Sequence, residues 1–248
     1  MPLEYDCPVC AKRARLYDVV DFNKSCEESN GLFLPLAGTP VYYALCSHCG
    51  FLFAPEFQDW SREDFLTKIY NDDYIVVDPD FEKKRPEESA AMLHKLFGDH
   101  KKKFRHLDFG GGDGEMSRRL RERGWDSQSW DPFFDPASSL NGEKFDLITS
   151  IEVFEHAPDV HGLMEKLTSA CHDSTFIYFS TFTHDQSIRK NGRIDWWYIS
   201  PRNGHVSIFS RHSLGLLGHR YGYRHGSFTD NLHCFCKTVP DWARHLMA

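Results

Sequence analysis

The sequence predicts an α/β protein carrying a small cysteine-rich module ahead of its main domain, and three observations support that reading. From about residue 104, short apolar runs alternate with amphipathic stretches, the pattern of a mostly parallel sheet covered on both faces by helices. A glycine-rich loop, "HLDFGGGDGEM" (106–116), follows the first of those runs directly. Two Cys-x-x-Cys pairs, "CPVC" and "CSHC", stand near the start of the chain.

The bulk properties narrow the function classes. At 248 residues the chain can bury a full core, and 41% hydrophobic with 26% charged residues is an ordinary globular balance. No apolar run approaches the roughly 18 residues of a membrane span. The opening "MPLEYDCPVC" has no basic segment followed by an apolar one, so no signal peptide is expected and the cytoplasm is the predicted location. With a net charge of −7 and only short basic runs, "EKKRPEE" and "HKKKFRH", the chain offers poor footing to a phosphate backbone. Nucleic acid is therefore disfavoured as a partner, a membrane partner is not expected, and a small-molecule substrate is. The oligomeric state is not legible in the sequence.

Cys7, Cys10, Cys46 and Cys49 form two complete knuckles, with Pro8 and Gly50 suited to the tight turns. In a reducing compartment such pairs fit structural zinc held by four thiolates, a closed site with no position open to substrate. Cys26, Cys171, Cys234 and Cys236 read as single thiols. Turn residues Gly31, Pro35, Gly38 and Pro40 between the pairs complete a zinc ribbon over residues 1–55.

Residues 56–102 read as a helical cap or linker. Ser61 is an N-cap candidate followed by Glu63 and Asp64, with Phe65, Leu66 and Ile69 as the apolar face. A second helix runs from Pro86 to Gly98. The main domain, 103–248, then offers strands at "FRHLDF", "WDSQSWD", "FDLITSI" and "STFIYFSTF", helices at "EMSRRLRERG", "PDVHGLMEKLTSAC" and "SRHSLGLLGHRYG", and late strand candidates "RHGSFT" and "NLHCFCKTV".

Ligands of such sheets bind at the carboxyl ends of the strands, where the glycine loop falls. A dinucleotide fingerprint counted from Gly110 requires glycine at 115, which is Glu115, and no Gly-Lys-Ser/Thr follows to make a phosphate loop. The spacing is Gly110-x-Gly112-x-Gly114, preceded by Asp108. Acids at 108 and 115 are expected to repel a pyrophosphate, so an uncharged or cationic ligand fits better. Asp131 ends the next strand, where a carboxylate commonly holds ribose hydroxyls.

These residues, "LDFGGGDG", "WDPF" and "FDLITSIEVFEHAPD", resemble the class I S-adenosylmethionine-dependent methyltransferases over roughly residues 60 to 240. The resemblance implies a Rossmann-like, mostly parallel seven-stranded sheet with helices on both faces. It places Asp108, Gly110 and Gly112 against the methionine part of the cofactor, with Gly111, Gly114 and Ser150 in the same set and Asp131 on the ribose. Phe133 is assigned to flank the adenine, and Tyr70 and Tyr74 are candidates to cover the cofactor. One departure stands out: only "PFFDPASSLNGEK" separates Asp131 from the next strand, so the family's third strand is shortened or missing.

Glu152, Glu155 and His156 follow the strand 145–151 at i, i+3, i+4, on one face if the segment makes a helical turn. Two carboxylates and an imidazole can remove a proton from a nucleophile, chelate a divalent ion, or simply shape a pocket. The E-x-x-E-H pattern resembles that of ubiquinone-pathway O-methyltransferases and small-RNA ribose 2′-O-methyltransferases, where it is associated with divalent metal. His205 is the counterpart of the later histidine of the RNA enzymes. Trp196, Trp197, Tyr198 and Arg202 are candidate substrate-pocket residues, because aromatic walls with a few polar groups describe a small-molecule site. That segment resembles the substrate side of bacterial sugar and secondary-metabolite methyltransferases, and zinc-ribbon N-termini occur in sugar C-methyltransferases.

The expected activity is methyl transfer to a small polar acceptor (sugar, nucleotide-sugar or secondary metabolite), at oxygen or carbon, with a His/Glu base drawn from His156, Glu155, Glu152 and His205. S-adenosylmethionine and structural zinc are the expected cofactors, with a divalent ion at E-x-x-E-H left as an option. The alternatives are an RNA methyltransferase that uses the ribbon for RNA, and a non-catalytic scaffold with a vestigial pocket.

Overall fold

The computed structural model describes residues 3–134, 140, 142–188 and 192–247. The chain begins as an antiparallel ribbon of β1 (Glu4–Asp6), β2 (Arg13–Asp21), β3 (Pro40–Cys46) and β4 (Leu52–Phe53). Each cysteine pair sits at a turn between strands, and the two turns are built alike. Ala11 N–H donates to Cys7 O and Gly50 N–H to Cys46 O, both at 2.8 Å. The residue after each second cysteine is left-handed, Ala11 at φ 56° and Gly50 at φ 76°.

Three helices follow. α1 (Arg62–Lys68) starts at the expected Ser61, whose hydroxyl and the Asp64 carboxylate form a reciprocal cap. The chain breaks after α1 and resumes as the single turn α2 (Tyr74–Val77). α3 (Lys84–Phe97) buries Ala90, Leu93 and Phe97 in one apolar cluster with Leu120, Phe176 and Tyr178 of the main domain. The segment expected as a helical cap or linker thus ends in a helix packed on the main sheet.

The main domain runs β5 (His106–Phe109), α4 (Glu115–Glu122), β6 (Ser127–Trp130), β7 (Phe145–Ile151), α5 (Val160–Ser169), β8 (Cys171–Ser180), β9 (Ser207–Ile208), α6 (Arg211–Arg220), β10 (Arg224–Ser227) and β11 (Leu232–Cys236). Its sheet has the order β10-β11-β8-β7-β5-β6. The four strands from β8 to β6 are parallel, whereas β11 pairs antiparallel with β8 and β10 antiparallel with β11. Among the described residues the sheet is six-stranded and mixed rather than seven-stranded. The connection between β6 and β7, where the sequence places a shortened or missing third strand, includes residues 135–139 and 141, which lie outside the described residues.

β9 does not join this sheet. It pairs with β4 of the ribbon, Leu52 opposite Ile208 and Phe53 opposite Ser207, so the main domain supplies the ribbon's fifth strand. Phe51 and Phe53 share an apolar cluster with Phe154, Phe179, Phe209 and Leu214. The ribbon is built into the main domain rather than tethered to it. No helix among the described residues is long and apolar enough to cross a membrane.

Candidate active site

The glycine loop lies at the carboxyl end of β5, and Gly110, Gly112 and Gly114 all have positive φ (79°, 55° and 80°). A Cβ at Gly111 would collide with Asp108 Oδ2 and Ser129 Oγ, whereas one at Gly112 would meet nothing within 4 Å. The loop is therefore pressed onto Asp108 on one side and open on the other. Asp108 is buried; its Oδ1 accepts from Thr149 at 3.3 Å, and Oδ2 has no partner, nor does the buried Ser129 Oγ. Burial pushes the Asp108 carboxyl up to about 7, with Asp131 adding to the rise. A buried carboxylate oxygen without a donor beneath an open glycine cradle fits a cofactor that brings an ammonium and a sulfonium.

Asp131 accepts from Gly112 N–H at 3.0 Å through Oδ2, and from Phe133 and Phe134 N–H through Oδ1. It thereby fixes the second strand end to the glycine loop. Glu115 is not the free acid the sequence suggested. It is buried and paired with Arg119 at 2.6 Å and with Arg118, so its charge is neutralised within α4 and repels nothing. The case against a pyrophosphate rests on Asp108 and the spacing alone. Ser150 is fully buried on β7, with an unpartnered hydroxyl.

The segment after β7 makes only a short 3₁₀ turn, Phe154–His156. Glu152 stands outside it in a left-handed conformation, φ 56°, with its N–H on Ser180 Oγ and its carboxylate accepting from that hydroxyl at 2.8 Å. The expected single face therefore does not form. Glu155, His156 and His205 come together instead, each offering a ligand atom within 4.8 Å of the others. Glu155 is fully buried; Oε1 accepts from Tyr198 OH at 2.6 Å and Oε2 has no partner. Burial, then the nearby Glu152, push its pKa well above the usual carboxylate range. Burial lowers His156 to about 4, and lowers His205 well below its ordinary value, so both imidazoles are neutral.

His205 is placed from two sides. Its Nδ1–H donates to Tyr198 O at 2.7 Å, and its own carbonyl accepts from Tyr43 OH of β3 at 2.7 Å. The turn itself is stapled by Val206 N–H to Glu155 O at 2.9 Å and by Ser207 Oγ to Ala157 O at 2.6 Å. The ribbon thus holds part of the site in place. Nothing in the sequence signalled this, because the pairing of β4 with β9 joins residues more than 150 apart.

Tyr70, rather than Tyr74, reaches the site. Its hydroxyl is 3.2 Å from His156 Nδ1, and its ring lies 5.3 Å from Phe133, linking the Asp131 arm to the histidine. Tyr74 is buried behind it, its hydroxyl directed to Asp78 and Asn203 O. Trp197 and Tyr198 line a cavity of about 510 Å³ beside His156 and His205. Trp196 and Arg202 do not line it. Trp196 packs on Phe182 and Tyr198, and Arg202 is buried with its guanidinium on Ile69 O and Asn71 Oδ1. A guanidinium beside aromatics looks like a ligand group in sequence, but here it closes off the end of α1.

The four expected zinc ligands converge. Their Sγ atoms lie within 4.8 Å of one another, with Cys7–Cys49 at 3.6 Å and Cys10–Cys46 at 3.5 Å. A tetrahedron with Zn–S near 2.3 Å has edges of about 3.8 Å, so the cluster is compatible with zinc. Both knuckles are docked: His161 Nε2 donates to Pro8 O at 2.8 Å, Ser210 Oγ to Cys49 O at 2.6 Å, and His184 Nε2 to Gly50 O.

A parallel sheet core with a glycine cradle on its first strand, an acid ending the second and a polar turn after the third is the arrangement of a methyltransferase. Residues 81–225, more than half of the chain, match the family described as "Methyltransferase domain". The chain belongs to that family and is an S-adenosylmethionine-dependent methyltransferase. No curated protein matches it in sequence. Among solved structures it is similar to the 1,6-didemethyltoxoflavin N1-methyltransferase of Burkholderia thailandensis (16% identity, 79% of this chain and 93% of that one, TM-score 0.47). It is also similar to magnesium protoporphyrin IX methyltransferase of Synechocystis PCC 6803 (14%, 73% and 97%, TM-score 0.44) and to the plantazolicin methyltransferase BpumL (12%, 69% and 80%, TM-score 0.47).

Proposed function

We propose that the protein methylates a hydroxyl or carbon of a small polar acceptor, of the sugar, nucleotide-sugar or secondary-metabolite class, with His156 as the base. The observation that carries this reading is the meeting of Glu155, His156 and His205 beside the 510 Å³ cavity, a volume suited to a small molecule. S-adenosylmethionine supplies an electrophilic methyl group. Asp108, the loop Gly110–Gly114, Ser150 and Asp131 are the residues that would hold it, with Phe133 and Tyr70 at its side. The hydroxyl of an acceptor is a poor nucleophile until its proton is removed. Neutral His156 can take that proton on the ring nitrogen opposite its Tyr70 contact, and Glu155 can steady the imidazolium so formed. Positioning within the cavity supplies much of the remaining acceleration.

A second reading has a specific observation behind it. Two neutral imidazoles and a carboxylate with one orphaned oxygen are also the donor set of a divalent ion. Such an ion would bind Glu155, His156 and His205 and polarise the acceptor oxygen. The zinc ribbon, in either reading, is a structural module of residues 1–55. An RNA acceptor is disfavoured by the net charge of −7. Incubating the zinc-loaded protein with methyl-labelled cofactor and a metabolite extract, followed by mass spectrometry, tests the proposal. A labelled small product is expected; label found only in RNA would overturn it.

A further inference from the structure

The cavity beside the histidines has a wall that belongs to the ribbon. Cys26, Glu27, Ser29 and Asn30, in the connection between β2 and β3, face α3 and the strand ends across it. This connection is anchored: Cys26 N–H donates to Asn203 Oδ1 at 2.8 Å, Lys24 O accepts from Arg202 N–H at 3.2 Å, and Lys24 Nζ donates to Trp196 O at 3.1 Å. This wall of the cavity is accordingly held in place by the main domain.

Its charges are one-sided. Among the described residues the only cationic side chain lining it is Arg85, and both terminal nitrogens of Arg85 are on Asp78, at 2.9 and 2.6 Å. Glu27 and Glu152 remain. The first accepts from the Asn30 amide at 3.0 Å and the second from the Ser180 hydroxyl, and neither forms an ion pair among the described residues. One further acceptor on a lining residue, Asn231 Oδ1, is buried without a donor. The Glu27 and Glu152 carboxylates favour an occupant that brings hydrogen-bond donors. A phosphate would bring only acceptors and negative charge to face Glu27 and Glu152. Trp197 and Phe182, 5.6 Å apart edge to face, offer an aromatic corner for a ring or an ammonium.

We propose that this cavity is the acceptor site and that its acceptor is phosphate-free: a ring bearing hydroxyl or amine donors, neutral or cationic, recognised in part by the ribbon connection. The inference rests on the methyl-transfer reading for the word acceptor, and it sets nucleotide-sugars aside within that reading.

Cys26 lines the cavity and serves as a reporter of its electrostatics. The zinc-loaded protein, saturated with S-adenosylhomocysteine and free of other divalent ions, is treated with three methanethiosulfonates: ethylammonium, methyl and ethylsulfonate. Labelling of Cys26 is followed by mass spectrometry, with C26S as the blank and each rate divided by that of glutathione. The normalised ammonium rate is expected to exceed the sulfonate rate at least tenfold, and E27Q is expected to cut that ratio several-fold. An ammonium rate above the neutral one favours an amine-bearing acceptor, and equal rates favour a hydroxylated one. Equal ammonium and sulfonate rates, a faster sulfonate, or a Cys26 inert to all three until the protein is denatured would overturn the proposal. Failure of the methyl-transfer reading shows elsewhere, as absence of label transfer with the reagent ratio intact.

Discussion

The carboxylate of Asp108 and the hydroxyl of Thr149 lie 3.3 Å apart, at one end of a buried chain of hydrogen bonds. Thr149 Oγ1 is also 2.9 Å from His106 Nε2, and His106 Nδ1 is 2.8 Å from Ser127 Oγ. Ser127 donates to Ser117 at 2.9 Å, and Ser117 to Gln128 O at 2.8 Å. The last group is a carbonyl and can only accept, so every donor runs toward it and His106 carries its proton on Nδ1. Burial holds His106 down to about 3, in keeping with a neutral ring. Thr149 then has one hydrogen for two claimants, His106 Nε2 and the Asp108 carboxylate.

Asp108 should make both stability and cofactor affinity depend on pH. Its folded pKa, about 7, lies above its ordinary value of 3.8, so the folded protein binds a proton more tightly than the unfolded chain between those values. Through this group the ligand-free protein should lose stability as pH rises from about 4 to 7. The ionised form attracts the cofactor's ammonium, so the rise in Tm on adding S-adenosylmethionine should be larger at pH 8 than at pH 6. Thermal melts across that range check both signs, and Asp108→Asn should flatten both trends.

Thr149→Val should weaken S-adenosylhomocysteine binding about tenfold, the size of a lost hydrogen bond to a charged group. Without that hydroxyl the Asp108 carboxyl ionises at higher pH, so the pH midpoint of binding should move upward. Calorimetric titrations of the variant and the parent at several pH values decide it. An unchanged affinity and midpoint would show that Thr149 only fills space.

His156→Ala should reduce turnover by about 10²- to 10⁴-fold, the range of general-base catalysis, while S-adenosylhomocysteine affinity stays within about twofold. Equal losses in both would sink the base assignment. Gly204→Ala probes the same ring indirectly. A Cβ there would lie 3.1 Å from His156 Nδ1 on a backbone at φ 85°, so turnover should fall without loss of cofactor binding.

Zinc removal should damage the acceptor side first. Tyr43 of the ribbon holds the His205 carbonyl, and Cys26 to Asn30 form a wall of the cavity. On stepwise chelation, methyl transfer should disappear at a metal occupancy where S-adenosylhomocysteine still binds. Loss of both at the same occupancy would show that the ribbon supports the whole domain equally.

The two knuckles should respond oppositely to one methyl group. Ala11 sits at φ 56°, a conformation that costs an L-residue about 1–2 kcal/mol, so Ala11→Gly should stabilise by about 1 kcal/mol. Gly50→Ala should destabilise, since its Cβ would lie 2.8 Å from Ser210 Oγ. Urea midpoints of the zinc-loaded variants measure both.

Much of the local geometry of the candidate cofactor cradle was legible in the sequence because it is local. The strand–loop–helix from His106 to Glu122 contains its own turn geometry, and Asp131 follows at the end of the adjacent strand. Each cysteine pair likewise builds its own knuckle. The acceptor side was only partly legible. His205 was found through its motif partner, but Arg202 and Trp196 were misplaced, and Glu27 and Arg85 gave no signal. An isolated charged or aromatic residue looks the same in sequence whether it faces a ligand or a neighbour.

By itself, then, the sequence determined the α/β class, the glycine cradle and the four-thiolate cluster, since each depends on residue types at spacings of a few positions. Tertiary structure decided that β9 leaves the main domain to complete the ribbon, that Glu152 separates from Glu155, and that the ribbon walls the cavity. Those outcomes depend on pairings between segments from 28 to 177 residues apart, whose free energy comes from burying surfaces that no short window of sequence contains.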